Sequence, residues 1–179
     1  MRIFEKNLTE KVEKNVLVVC TGNLFRSPIA AAFIRQSLVQ DQLQDRILVT
    51  SAGLEAQPGA KTPESLTASL LSHYKIDLSA HEARPVTPDL FQKADLVLVM
   101  EQAQLMRLAQ QYPRQSRKLH LISELSGKFY NIADPAPDLQ TQLAPVIGEL
   151  YELTQRGLVT LLRWLELGKP DSLNRQRPG

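Results

Sequence analysis

One stretch of this sequence has the residue types and the spacing of a nucleophilic anion site: Cys20-Thr21-Gly22-Asn23-Leu24-Phe25-Arg26-Ser27-Pro28. A nucleophilic thiol has to be a thiolate at neutral pH. A position just ahead of a helix N-terminus favours that anion through partial positive charge and unpaired N–H donors. Ser27 and Pro28 mark such a start, Ser27 as an N-cap hydroxyl and Pro28 as the proline favoured at the first helical position. The six residues from Cys20 to Arg26 let the backbone curl into a cup, in which Gly22 takes angles closed to other residues and successive N–H groups point inward. Arg26 adds a planar fork that grips two phosphate oxygens and stabilises the charge of a trigonal-bipyramidal transition state. The pattern predicts attack of sulfur on a phosphate monoester. An inert, packed cysteine beside an ordinary turn is the plainer alternative, and it leaves the spacing of Gly22, Asn23, Arg26, Ser27 and Pro28 without a reason.

A phenolate or alkoxide leaving phosphorus needs a proton, and the donor must stand on another loop facing the cup. Asp134, after the fourth strand and stiffened by Pro135, is one candidate and Asp138 the runner-up, better placed as a cap on the last helix; by position alone a loop aspartate is as a rule a cap or turn residue. His81 invites a Cys-His dyad, but a thiolate already favoured by a helix end and loop amides needs no base. His73 and His120 fall in segments that read as helix and strand, where satisfied or solvent-facing imidazoles are normal. No cluster has zinc-ligand spacing, so no metal is expected.

These residues need elements to position them. Val16–Val19 is a β-branched run that reads as a buried central strand, and the apolar stretch Pro28–Leu38 as the helix after it. The alternation recurs with a strand at Arg46–Thr50, a helix at Thr62–Tyr74, a strand at Asp95–Met100 and a helix from Glu101 to Gln111. A weaker strand follows at Lys118–Ile122. Leu139–Leu167 carries helical periodicity, with Pro145 near its first turn and Gly168 at its stop. Alternating β and α segments imply an α/β fold, a parallel sheet with helices on both faces and functional loops at the carboxyl ends of the strands.

Composition bounds the rest. The 179 residues, 43% of them hydrophobic, suffice for one core and one domain, expected over 15–167 between a polar arm, 1–14, and a polar tail, 168–179. A single cysteine excludes an internal disulfide framework, and no stretch reads as a signal peptide or membrane span, so a reducing cytoplasm is the expected location. A net charge of +2, with scattered Lys and Arg, argues for no nucleic-acid surface yet would not repel a phosphate dianion.

At the Cys20–Pro28 loop the chain resembles the low-molecular-weight protein tyrosine phosphatases, whose loop reads Cys, any residue, Gly-Asn, two residues, Arg-Ser-Pro. The likeness continues from residue 15 to 165 through Thr50-Ser51-Ala52-Gly53, Asp77–His81 with Arg84, Asp95–Met100 and Ala133-Asp134-Pro135. The resemblance implies a four-stranded parallel sheet, no cofactor, and Cys20 as nucleophile with Arg26 as phosphate clamp. It further implies that Thr21, Gly22, Asn23, Leu24 and Phe25 form the phosphate loop and that Ser27 donates its hydroxyl to the thiolate. Asn23, Ser51 and His81 would hold the loop in shape, and Asp134 would protonate the leaving group and then activate water. The implied substrates are phosphotyrosine proteins, a tyrosine kinase among them, and small aryl phosphates.

Two departures touch the pocket. Phe25 stands where a second cysteine is common, and Ala136 replaces the usual aromatic after Asp134-Pro135, removing a wall for a phenyl ring that Phe25 would partly restore. Arsenate reductases share a similar loop but relay a disulfide through further cysteines, which this chain lacks. Protein-arginine phosphatases of the same family carry Thr in place of Leu24, whose apolar side chain favours a phenyl group over a guanidinium. A non-catalytic phosphate-binding module on the same fold is the remaining alternative, and it would need no thiol.

Overall fold

A computed structural model of the protein describes residues 12–135 and 139–167. Four strands, β1 (Lys14–Cys20), β2 (Ile47–Gly53), β3 (Leu96–Val99) and β4 (Leu119–Leu121), form one all-parallel sheet in the order β2-β1-β3-β4. Among the described residues five α-helices connect and cover them: α1 (Arg26–Gln40), α2 (Glu64–Tyr74), α3 (Pro88–Lys93), α4 (Gln102–Gln111) and α5 (Leu139–Trp164). The parallel four-stranded sheet and its flanking helices agree with the expected fold.

Side chains alternate across β1 because successive Cβ atoms point to opposite faces of a strand. Val16, Val18 and Cys20 join a core with Ile29, Phe33 and Leu38 of α1, Leu66 and Leu70 of α2 and Leu150, Leu161 and Leu162 of α5. Leu17 and Val19 face the other way, onto Phe91 of α3 and Leu108 of α4. With both faces covered, the buried part of β1 from Val16 onward has to be apolar, which is why Val16–Val19 reads as an unbroken apolar run rich in β-branched residues.

The chain moves from β1 to one neighbour, β2, and later returns to the opposite side as β3. The loops leaving β1 and β3 therefore diverge and open a crevice at the carboxyl ends of the central strands, the place where open α/β sheets bind ligands. Cys20 is the last residue of β1 and lies at that crevice.

Several boundaries differ from expectation. The first helix begins at Arg26 with Phe25 in the N-cap position and no side-chain cap, so Ser27 is a residue of the first turn and not its cap. The Ser27 hydroxyl instead lies 3.0 Å from the Cys20 sulfur and accepts the Asn23 amide at 2.9 Å. Lys14, expected in the arm, opens β1; residues 1–11 of that arm and the tail 168–179, with Gly168, lie outside the described residues, as do Ala136 and Asp138. Helix α3 was not expected, although Thr87-Pro88 is a helix-start signature: the Thr87 hydroxyl accepts a hydrogen bond from the Leu90 N–H, with Pro88 at the start of the helix.

Candidate active site

The loop between β1 and α1 closes on the sulfur. Cys20 is 3% exposed, and its Sγ lies 3.0 Å from Ser27 Oγ and accepts the Asn23 backbone N–H at 3.2 Å. Both contacts suit a thiolate, which accepts hydrogen bonds and is stabilised by fixed dipoles. The expected role of Gly22 falls elsewhere. The left-handed conformation in the loop belongs to Asn23, at φ 57°, whereas a Cβ at Gly22 would meet nothing within 4 Å. Asparagine tolerates that region because its short amide bonds locally.

Asn23 is fully buried and makes five contacts that shape the cup. Its Nδ2 donates to Ser27 Oγ and Ser51 Oγ, both at 2.9 Å, and its Oδ1 accepts the Arg84 N–H at 3.0 Å. Its carbonyl lies 2.8 Å from His81 Nε2, and its own N–H goes to the sulfur. Ser51 and His81 are thereby brought to the loop, and His81 meets a backbone carbonyl, not the thiol.

A second brace is backbone. Leu54 N–H donates to the Cys20 carbonyl at 3.0 Å and Glu55 N–H to the Thr21 carbonyl at 2.9 Å, so the end of β2 runs hard against the loop. Gly53 permits this approach: a Cβ there would fall 2.6 Å from Thr21 O and 2.9 Å from Asn23 N.

Replacing Asn23 by alanine should test the braces. The change leaves the Cβ in the left-handed region without the amide that supports it and orphans buried donors and acceptors, an expected loss of about 2–4 kcal/mol in urea unfolding. Asn23→Gly relieves the backbone part alone and should fall between alanine and wild type. A glycine variant as stable and active as wild type would show the amide contacts to be dispensable.

Arg26 is 2% exposed, so its charge needs partners. Nη1 donates to the Glu101 carboxylate and, at 3.0 Å, to the Ile132 carbonyl, while Nη2 donates to Asp134 Oδ2 at 2.8 Å. The two carboxylates are themselves partly open, Glu101 at 31% and Asp134 at 40%. The segment that presents Asp134 is tied down at three points. Ile132 N–H donates to the Met100 carbonyl, Asn131 Oδ1 accepts the Gln102 N–H, and Ser123 Oγ bonds both the N–H and the carbonyl of Tyr130. The Tyr130 phenol is pushed up to about 12 by burial, with a hydrogen bond to Glu149 and that residue's negative charge adding to the shift.

Cys20, Thr21, Gly22, Leu24, Phe25, Arg26 and Asp134 line one cavity of about 220 Å³. Thr62 Oγ1 donates to the Leu24 carbonyl at 2.9 Å and pins the outer wall, and Phe25 also packs against the main core. Asp138 lies outside the described residues. His73 bonds back to the Ser69 carbonyl on its own helix, and His120 stacks on Trp164 beside Glu124, both away from the cavity lining. Among the described residues no group of three or more side chains is arranged to hold a metal ion, and no helix is long and apolar enough to cross a membrane.

Sequence reasoning missed Glu101, although an acidic residue directly after a strand end, on the edge where the loops gather, is a signal worth weighing. In the sequence it marks only the start of a helix. Its contact with Arg26 depends on β3 lying beside β1, and that lateral order is not written in either segment.

Fold and site define a doubly wound α/β protein with a thiol, a guanidinium and a carboxylate around one anion-sized cup. A sequence model described as low molecular weight phosphotyrosine protein phosphatase matches residues 15–166. The probable low molecular weight protein-tyrosine-phosphatase EpsP of Ralstonia nicotianae is 36% identical over 81% of this chain and 91% of its own. A protein-arginine-phosphatase of Bacillus subtilis is 32% identical over 68% of this chain and 79% of its own. The crystal structure of a low molecular weight protein tyrosine phosphatase from T. tengcongensis superposes with a TM-score of 0.74 at 30% identity, over 83% of this chain and 99% of that one. The chain belongs to the low molecular weight phosphotyrosine protein phosphatase family and is a phosphatase.

Proposed function

We propose that the protein hydrolyses phosphotyrosine in proteins, and small aryl phosphates, through a cysteinyl-phosphate intermediate. The observation that carries this reading is the shared cavity, in which the Cys20 sulfur, the Arg26 fork and the Asp134 carboxyl border one space with Leu24 and Phe25 as apolar walls.

The Cys20 thiolate attacks phosphorus, forming the S–P bond as the P–O bond to the phenol breaks. Protonated Asp134 gives its proton to the departing oxygen, and Arg26 with the loop amides holds the three equatorial oxygens as charge spreads over them. Asp134, now a carboxylate, takes a proton from water as that water attacks phosphorus. The S–P bond breaks, inorganic phosphate leaves and the thiolate returns. Ser27 Oγ, 3.0 Å from Sγ, supplies a hydrogen bond to the sulfur when it leaves as an anion.

Walls of Leu24 and Phe25 favour a flat aromatic ring over a charged guanidinium, which supports phosphotyrosine over phosphoarginine. Phosphotyrosine proteins, a tyrosine kinase among them, are the substrates this reading names. A reducing cytoplasm, where a lone thiol stays free, is the fitting location. The catalytic unit corresponds to residues 15–167.

The test is hydrolysis of p-nitrophenyl phosphate in excess chelator, followed by competition between phosphotyrosine and phosphoarginine peptides. Chelator should leave the rate unchanged, vanadate should inhibit competitively as a transition-state mimic, and the phosphotyrosine peptide should be preferred. Activity that needs added metal would sink the mechanism, and preference for phosphoarginine would reassign the substrate.

A further inference from the structure

Gln104 is a 4% exposed amide in the first turn of α4, and its two ends do different things. The Oε1 end accepts the Met100 N–H at 2.9 Å and the Glu101 N–H at 3.2 Å, satisfying backbone donors where the chain enters the helix. The Nε2 end turns away from the helix. It donates to Thr21 Oγ1 at 3.2 Å and to Glu101 Oε1 at 3.4 Å.

Both acceptors belong to the site. Thr21 follows the nucleophile and lines the cavity, and Glu101 Oε1 is the oxygen that receives Arg26 Nη1. One amide group therefore spans the crevice, tied to the loop after β1 on one side and to the carboxylate behind the arginine on the other. A cap alone needs only the Oε1 end, and a glutamate would serve it equally well. The two N–H donors are matched to two oxygens that nothing in capping requires.

We infer that Gln104 is a positioning residue for catalysis: through Thr21 it holds the loop, and through Glu101 it fixes the direction of the Arg26 fork. This rests on the proposed phosphatase mechanism and names a new part of the same site. Arg26 acts on charge that develops in the transition state, so a loosened fork lowers kcat and leaves ground-state binding nearly intact.

Gln104→Glu separates the two ends, because its carboxylate still accepts from Met100 and Glu101 N–H but meets the Glu101 carboxylate as a second acceptor, and it keeps Thr21 only if that hydroxyl turns to donate. The expected result is a fall in kcat of about 10- to 100-fold for p-nitrophenyl phosphate. KM and melting temperature should stay near wild type, and vanadate affinity should fall in step with kcat. The loss should shrink as pH is lowered and the new carboxyl regains a proton to donate. In an Arg26→Lys background the same change should cost less, since it acts through Arg26. Thr21→Val, which leaves the helix start untouched, should lower kcat and vanadate affinity in the same sense, and it serves as the test should Gln104→Glu not fold. Losses that add fully to those of Arg26→Lys, or a lower melting temperature with kcat and vanadate affinity unchanged, would reduce Gln104 to a cap and overturn the inference. A wild-type protein without turnover or vanadate binding would bring down the phosphatase mechanism itself, and this inference with it.

Discussion

Cys20→Ser is expected to abolish turnover, lowering kcat by about 10⁴- to 10⁶-fold, the range seen when a nucleophile is removed, with the fold intact. The sulfur sits at the end of β1 among contacts that a hydroxyl can also make, with Ser27 Oγ at 3.0 Å and the Asn23 N–H at 3.2 Å. Serine therefore keeps the shape of the cup. It does not keep the chemistry, because a hydroxyl stays protonated at neutral pH unless a base removes its proton, and among the described residues no base is in hydrogen-bond contact with that position. Among the described residues, the hydrogen-bond partners of the Cys20 sulfur are Ser27 and Asn23, and His81 turns its Nε2 to the Asn23 carbonyl. The variant should still bind phosphate and vanadate, since the loop amides and Arg26 remain. Measured kcat for p-nitrophenyl phosphate, with vanadate titration on the same sample, checks both halves. A serine variant with a tenth of wild-type kcat would remove Cys20 from its role, and loss of vanadate binding with the fold intact would mean that sulfur also shapes the cup. The non-catalytic alternative predicts that this substitution leaves its function whole.

How much of this was legible beforehand follows from where each feature is encoded. The four strands and helices α1, α2, α4 and α5 were readable, because an apolar run of β-branched residues and a 3.6-residue period are local properties of the chain. The loop was readable too, since Cys20, Asn23, Arg26 and Ser27 are close in sequence and their spacing sets the cup. Helix α3 has six residues, too few to display a period, and only Thr87-Pro88 announces it. The start of α1 was misplaced because Ser27 looked like a cap, and its hydroxyl instead serves the sulfur and the Asn23 amide.

Contacts between elements were the harder part. Gly53 gave no local hint that β2 would press its backbone onto Thr21 and Asn23. Glu101 and Gln104 reach Arg26 and Thr21 only because β3 lies beside β1, which brings the turn before α4 across the crevice from Cys20. Lateral strand order arises from how helices pack on the two faces, and neither strand carries it alone. Buried charge, by contrast, makes its own demand: an arginine at 2% exposure must find carboxylates, and a search for acidic residues at other strand ends would have reached Glu101.

Asp134→Asn should lower kcat by about 10²- to 10⁴-fold for a phosphotyrosine peptide, the usual range for a general acid, and the pattern across leaving groups is the informative part. Asp134 Oδ2 accepts from Arg26 Nη2 at 2.8 Å, and asparagine retains an oxygen for that bond. The loop stays tethered through Ile132, Asn131 and Tyr130, none of which is altered. What is lost is the proton. A tyrosine phenolate leaves slowly without one, whereas p-nitrophenolate is stable enough to depart unaided, so the first step with the activated ester should be nearly normal. Its second step should not be, because the same carboxyl draws a proton from the attacking water. Cysteinyl-phosphate then accumulates, and rapid mixing should show a burst of p-nitrophenolate close to one equivalent of enzyme, followed by a slow steady rate. Equal losses for all leaving groups, with no burst, would mean that Asp134 only steadies Arg26. If Asp138→Asn produced the burst and Asp134→Asn did not, the acid would be the second carboxylate of this stretch.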